Sequence, residues 1–248
     1  MRRSWLAVAI ALIGCDRGPE RGSELNVAAA ANLTQVFGEI GAAFQKQTGV
    51  HVVYSFAATG QLARQVEQAA PYDVFAAADT EHVDALDRQG FLTPGSRAIY
   101  ARGKLALWVP PGSRVTLDRM EDLAKSEVRF VAIAKPELAP YGRAAVESLQ
   151  KLGLWEAVRP KVVYAETISM AKQMAASNSA DAAFTAWSLV FREGGKAIPV
   201  DEKLHRPIDQ ALGVIKQSRR QAEGRAFAQF VLGAKGREIL RRYGYETP

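Results

Sequence analysis

The chain has one cysteine, Cys15, and three histidines among its 248 residues. A single thiol excludes an intramolecular disulfide and a cysteine-based metal site. His51, His82 and His205 lie far apart without metal-ligand spacing and read as strand-edge or surface residues. The phosphate-cradling glycine loop is absent, as are a G-x-G-x-x-G after a strand and a G-x-S-x-G elbow. No residues pair as nucleophile and base, which argues against an enzyme. Basic stripes are missing too: the 32 Lys and Arg are scattered against 26 Asp and Glu. The short runs Arg219-Arg220 and Arg241-Arg242 look like exposed helix faces, so nucleic acid is not an expected partner. Trp108, Trp155 and Trp187 read as core or hinge-packing residues, and Asp73 and Asp79 as structural caps.

What the chain does have begins with a leader. Arg2 and Arg3 precede an apolar run from Trp5 to Ile13, too short to span a bilayer as a mature helix and shaped like an export signal. Leu12-Ile13-Gly14-Cys15 resembles a bacterial lipobox, which implies lipidation of Cys15 as the new N-terminus. On this reading residues 1–15 are a signal peptide and residues 16–23, with their Gly and Pro, a polar tether. Membrane attachment would then be through lipid alone.

Beyond residue 24 strand-like runs alternate with amphipathic helices. The expected strands are Leu25–Ala30, Val50–Phe56, Asp73–Ala77, Leu105–Val109, Val128–Ala134, Val162–Tyr164, Ala182–Thr185, Ala197–Val200 and Ala211–Ile215. In the first helix Leu33, Val36, Phe37, Ile40 and Phe44 share a face, and Gly49 ends it. Others begin near Gln61, Glu81, Gly142, Ile168, Gln221 and Gly236. Such alternation predicts an α/β fold with mainly parallel sheets and helices on both faces. Leu105–Val109 and Ala211–Ile215 are candidate crossover strands between two lobes, and no internal sequence repeat is visible.

The strand-to-helix joins carry the polar chemistry: Ala31-Asn32, Ala58-Thr59-Gly60, Pro140-Tyr141-Gly142 and Glu166-Thr167-Ile168. Ligands of open parallel sheets bind beyond the carboxyl ends of the strands, where such joins lie. The first N–H groups of a helix have no intrahelical acceptor, and the dipole is positive there. Asn32 and Thr59 add neutral donors, while Gly60 and Gly142 would let main chain approach a ligand. A fully deprotonated tetrahedral dianion needs only donors, whereas a protonated one also wants an acceptor, which Asn32 could supply. The competing explanation is purely structural, because Asn, Thr and Glu at these positions are common helix caps.

Five stretches stand out in order along the chain: Ala29-Ala30-Ala31-Asn32-Leu33, Ser55 to Ala63, Ala70-Pro71-Tyr72-Asp73-Val74-Phe75-Ala76-Ala77-Ala78-Asp79, Lys135 to Gly142, and the ending Gly236 to Tyr245. Together they resemble the periplasmic molybdate-binding proteins, the substrate receptors of ABC importers. The resemblance runs from about residue 24 to the C-terminus. It implies a two-lobed type II binding-protein fold with a two-strand hinge, lobe 1 spanning 24–105 and 213–248 and lobe 2 spanning 106–212. It implies molybdate or tungstate as ligand, molybdenum held only as its oxyanion, no cofactor, an ABC permease as partner and a monomer. Carried over residue by residue, the ligands are Asn32, with Ala31 beside it, Thr59 where many relatives have Ser, and the main-chain N–H groups of Tyr141 and Ile168. A tyrosine that some relatives bring from the strand near Phe184 is replaced by Ala186. Receptors for sulfate, thiosulfate or phosphate, and an enzyme or ligand-sensing domain on the same fold, are the competing functions.

Overall fold

The computed structural model describes residues 24–248; the leader, Cys15 and the tether lie outside the described residues. The first sheet comprises β1 (Glu24–Ala30), β2 (His51–Ala57), β3 (Val74–Ala76), β4 (Ala98–Gly103) and β10 (Ile208–Val214). The second comprises β5 (Leu105–Val109), β6 (Val131–Ala134), β7 (Val162–Ala165), β8 (Ala182–Ala186) and β9 (Lys196–Pro199). Their spatial orders are β2-β1-β3-β10-β4 and β7-β6-β8-β5-β9.

The two orders match one to one. In each sheet three strands run parallel, β2-β1-β3 and β7-β6-β8, with Val27 opposite both Tyr54 and Val74, and Val131 opposite both Val162 and Ala182. In each the fourth strand, β10 or β5, runs antiparallel to both neighbours. The sheets are therefore mixed rather than mainly parallel. The architectural repeat leaves no trace in sequence because only strand order and direction are shared.

Helices cover the sheets: α1 (Thr34–Thr48), α2 (Thr59–Glu67), α3 (Glu81–Arg88), α4 (Pro140–Lys151), α5 (Trp155–Val158), α6 (Ile168–Ala176), α7 (Gln221–Leu232) and α8 (Ala234–Arg242). The α1 stripe Val36, Phe37, Ile40 and Phe44 is fully buried, as its spacing demands. Phe37 and Phe44 meet Phe227 of α7 edge-on, with centroids 6.0 and 5.4 Å apart. Gly49 closes α1 in the left-handed region (φ 76°), its N–H donating to Gln45 O. Among the described residues no helix is long and apolar enough to cross a membrane.

Three sequence expectations shift. β4 is missed, because Tyr100, Arg102 and the nearby Pro94-Gly95 break its apolar pattern; Arg102 pairs with Asp209 on β10. The run expected from Val128 begins pairing only at Val131, because the Arg129 and Phe130 N–H groups donate to the Asp181 carboxylate (2.7 and 2.9 Å). The chain passes between sheets at Lys104 and again in the segment before Ile208. Leu105 thus starts the second sheet, and the whole of β10 belongs to the first, so the second boundary falls before 208 rather than at 213.

Candidate oxyanion-binding site

Four helical segments start where parallel strands end. A 3-10 turn (Ala31–Leu33) leads from β1 into α1, α2 follows β2, α4 follows β6, and α6 follows β7. The first two starts belong to one sheet and the last two to the other. Hydrogen bonds across the seam bring them face to face. The Gly60 N–H donates to Leu138 O (2.9 Å). Ser169 Oγ donates to Ala31 O (2.9 Å). Gln61 Nε2 reaches Glu166 Oε2 (3.1 Å), and Glu166 is also paired with Lys135. Arg143 spans from α4 to Asp79 and Glu81 (3.3 and 2.8 Å). The lobes are closed on each other.

The five residues expected to bind all lie at this closed seam, with exposures of 5% for Ala31, 1% for Asn32, 1% for Thr59, 1% for Tyr141 and 3% for Ile168. Thr59 and Ile168 are the first residues of α2 and α6, and Tyr141 is the second of α4. Their N–H groups therefore have no acceptor within their own helices. The Thr59 hydroxyl accepts from the Ala78 N–H (3.0 Å), so its own proton is left to donate elsewhere.

Capping explains little of this. Ala58, not Thr59, caps α2, and Asn32 makes no capping bond to the turn it sits in. Asn32 Nδ2 instead lies 3.0 Å from Gln210 Oε1 and 2.9 Å from Tyr245 Oη, while Asn32 Oδ1 is buried without a protein partner. Thr167 does cap α6, its hydroxyl accepting from the Met170 N–H (3.1 Å). Asp79 accepts from the His82 N–H at the start of α3, and Asp73 holds the Asn26 N–H and the Ser218 hydroxyl (2.7 and 2.6 Å). His205, expected at the surface, is buried.

Gly142 is needed for packing. A Cβ on Gly142 would stand 2.0 Å from Ala134 O, so this glycine lets α4 pack on the end of β6. One on Gly60 would meet His82 Nε2 at 3.3 Å and Leu138 main chain at 3.4 Å, close to ordinary contact, so packing does not demand a glycine there.

A buried polar cluster underlies Asn32. Gln210 on β10 is fully buried and touches Asn32, Tyr100 Oη (2.9 Å) and Tyr141 Oη (3.0 Å). Ser188 Oγ is 2.9 Å from Tyr245 Oη and 3.3 Å from Asn32 O. Burial pushes all three phenols up, Tyr245 to about 12, although bonds from Ser188, Asn32 and Tyr141 pull that one back. The phenols stay protonated near neutrality. Sequence reading missed Gln210, Tyr245, Ser188 and Ser169. A lone Gln in the buried strand IDQALGV was the signal for the first. Ala186 ends β8 fully buried, and its methyl offers no donor.

Among the described residues no group of His, Cys, Asp and Glu is arranged to hold a metal ion. The seam instead offers hydroxyl, amide and main-chain donors, and two of its cations, Lys135 and Arg143, are already paired with carboxylates.

The family model for bacterial extracellular solute-binding proteins matches residues 25–246. The molybdate-binding protein ModA of Rhodobacter capsulatus is 39% identical over 97% of this chain and 95% of its own length. The chain belongs to the ModA family of bacterial extracellular solute-binding proteins. ModA of Escherichia coli K12 is 31% identical over 99% of both chains. The solved periplasmic molybdate-binding protein of Azotobacter vinelandii superposes with a TM-score of 0.86 at 33% identity, covering 90% of this chain and 99% of that one. A sulfate-binding protein of Mycobacterium tuberculosis shares the fold at 15% identity and a TM-score of 0.76. ModA-family membership agrees with the two-lobed α/β architecture.

Proposed function

We propose that this protein captures molybdate, and tungstate with it, between its lobes and delivers the anion to an ABC permease. The observation that carries this reading is the closed seam itself. Five buried residues from two strand-helix joins in each lobe surround it, and the donors they present are neutral. Donors without a free cation suit a fully deprotonated tetrahedral anion whose charge is spread over four oxygens. Asn32 and Thr59 contribute side-chain donors, Ala31, Tyr141 and Ile168 main chain. Because each lobe holds part of the set, the anion stabilises the closed form and links binding to a hinge equilibrium. Selectivity over sulfate then rests on cavity size, since charge and hydrogen-bonding needs are alike. The chain works as a monomeric receptor and not as an enzyme, for none of the four joins offers a nucleophile with a base beside it. Its leader directs export, with Cys15 as a lipid anchor.

Thermal melting at equal concentrations of molybdate, tungstate, sulfate and phosphate tests the reading. Ligand at 100 times its Kd adds about 2.7 kcal/mol to the folded state. Molybdate and tungstate are expected to raise Tm well above the other two. A larger shift with sulfate or phosphate would overturn the ligand assignment.

A further inference from the structure

The hydrogen bonds beneath Asn32 do not balance when its Nδ2 faces Gln210. In that arrangement the Tyr100 hydroxyl, with one proton, faces two acceptors, Ala77 O at 2.8 Å and Gln210 Oε1 at 2.9 Å. Gln210 Nε2 has one partner, Tyr141 Oη, for two protons. Asn32 Oδ1 is buried with none. An unpaired buried acceptor and two oxygens facing each other without a proton are both costly. A half-turn of a carboxamide exchanges its nitrogen and oxygen, and the partners decide which orientation holds.

We propose that both amides take the reverse orientation, and that Gln210 thereby sets Asn32 as a donor toward the bound anion. Gln210 Nε2 then gives one proton to Asn32 Oδ1 and the other to Tyr100 Oη. Tyr100 passes its single proton to Ala77 O. Tyr141 Oη gives its one proton to Gln210 Oε1 rather than to Tyr245. Tyr245 Oη donates to Asn32 Oδ1 at 2.9 Å in preference to Asn32 O at 3.1 Å, and accepts from Ser188. Each proton of Gln210 and of the three phenols now has an acceptor at 2.8 to 3.0 Å. The position left without a protein partner is occupied by Asn32 Nδ2, whose protons point away from the cluster.

This inference rests on the molybdate reading for its consequence, though not for its geometry. An Asn32 free to present its oxygen would welcome an anion that keeps a proton, such as hydrogen phosphate. An Asn32 locked by Gln210 presents only N–H and favours the fully deprotonated dianion. Gln210 is thus a positioning residue that tunes selectivity from behind the contact. Tyr141 joins the two functions, offering its main-chain N–H at the start of α4 and its hydroxyl to Gln210.

A neutron structure of the ligand-free protein tests the geometry without any ligand. Deuterons on the Asn32 amide atom that faces away from Gln210 are expected; deuterons on the atom facing Gln210 would overturn the proposal. Gln210→Leu tests the consequence by titration with molybdate and with phosphate. Molybdate affinity is expected to fall about tenfold or more while phosphate affinity falls less. A variant that keeps the wild-type ratio of the two affinities would count against Gln210 as the orienting residue, whatever its Tm. Failure of the wild-type protein to bind molybdate would sink the functional reading and leave the neutron result to decide this one.

Discussion

On the proposed reading the two halves of the seam do the same work by different means. The first lobe adds side chains to the Ala31 main chain: the Asn32 amide, beside Gln210, and the Thr59 hydroxyl, which accepts from the Ala78 N–H. The second brings main chain at the starts of α4 and α6, where Tyr141 and Ile168 supply N–H groups and their side chains pack inward. Side-chain donors are set by residue identity, and a substitution can delete them. Main-chain donors are set by fold and survive nearly any substitution that leaves the helix start in place. On that reading affinity should therefore be fragile to mutation in lobe 1 and robust in lobe 2.

The largest effect expected is from Asn32→Asp, which turns the lobe 1 contact into a repulsion. Like charges about 4 Å apart cost about 4 kcal/mol at an effective dielectric of about 20, on the order of a thousandfold in Kd. Calorimetric titration measures this, and a loss of less than tenfold would break the claim that this amide faces the anion. Thr59→Val comes next. It removes one hydrogen bond to a charged ligand, about 1.5–3 kcal/mol, or roughly 10- to 100-fold in affinity. An unchanged Kd would remove Thr59 from the site.

Ile168→Ala is the control from lobe 2. Its side chain is 3% exposed, so truncation should cost about 2–5 kcal/mol of stability. Binding measured below the lowered Tm should shift by no more than about 0.5 kcal/mol, since the N–H remains. A tenfold loss of affinity at retained fold would end the side-chain versus main-chain contrast. The cross-lobe clasp ranks below these. Arg143→Ala removes partly exposed ion pairs to Asp79 and Glu81 and should weaken binding by at most about 1 kcal/mol, an effect that fades in high salt.

Acid should act on stability rather than on the donor contrast, because carboxyls are held low in both lobes, Glu238 by Lys235 and Glu246 by Lys104 in lobe 1. In lobe 2 Asp122 is held down to about 2 by the Asp118 N–H, Lys125 and the Arg119 N–H. Asp181 is also low: burial pushes it up, but Arg114 and the Phe130 and Arg129 N–H groups outweigh that. Carboxyls depressed on folding stabilise above their unfolded values and lose that contribution as pH falls through the folded ones. Tm should therefore drop as pH falls from about 4 toward 2, and Asp122→Asn should flatten the slope. A variant with the wild-type slope would contradict the assignment.

The same contrast governs what could be read from sequence. Asn32 and Thr59 stand out as polar residues at the ends of apolar runs, and Gly49 and the α1 stripe announce their helix. The lobe 2 donors left only weak marks, Pro140-Tyr141-Gly142 and Glu166-Thr167, because a main-chain N–H has no residue type of its own. Which polar residues cap and which face the seam was hidden as well. It depends on partners far along the chain, as with Gln210 for Asn32 and Ala78 for Thr59. The β4 strand and the exact crossing before Ile208 were obscured by polar residues whose partners, such as Asp209 for Arg102, lie on a neighbouring strand. The matched order of the two sheets is pure topology and invisible to residue patterns.

The central claim is that one tetrahedral anion bridges donors from both lobes. Anomalous diffraction from crystals grown with molybdate, at the molybdenum edge, tests it most directly. The account predicts a single strong peak between Asn32, Thr59, Tyr141 and Ile168, with anion oxygens within hydrogen-bonding distance of each. A peak elsewhere, or one touching a single lobe, would contradict it.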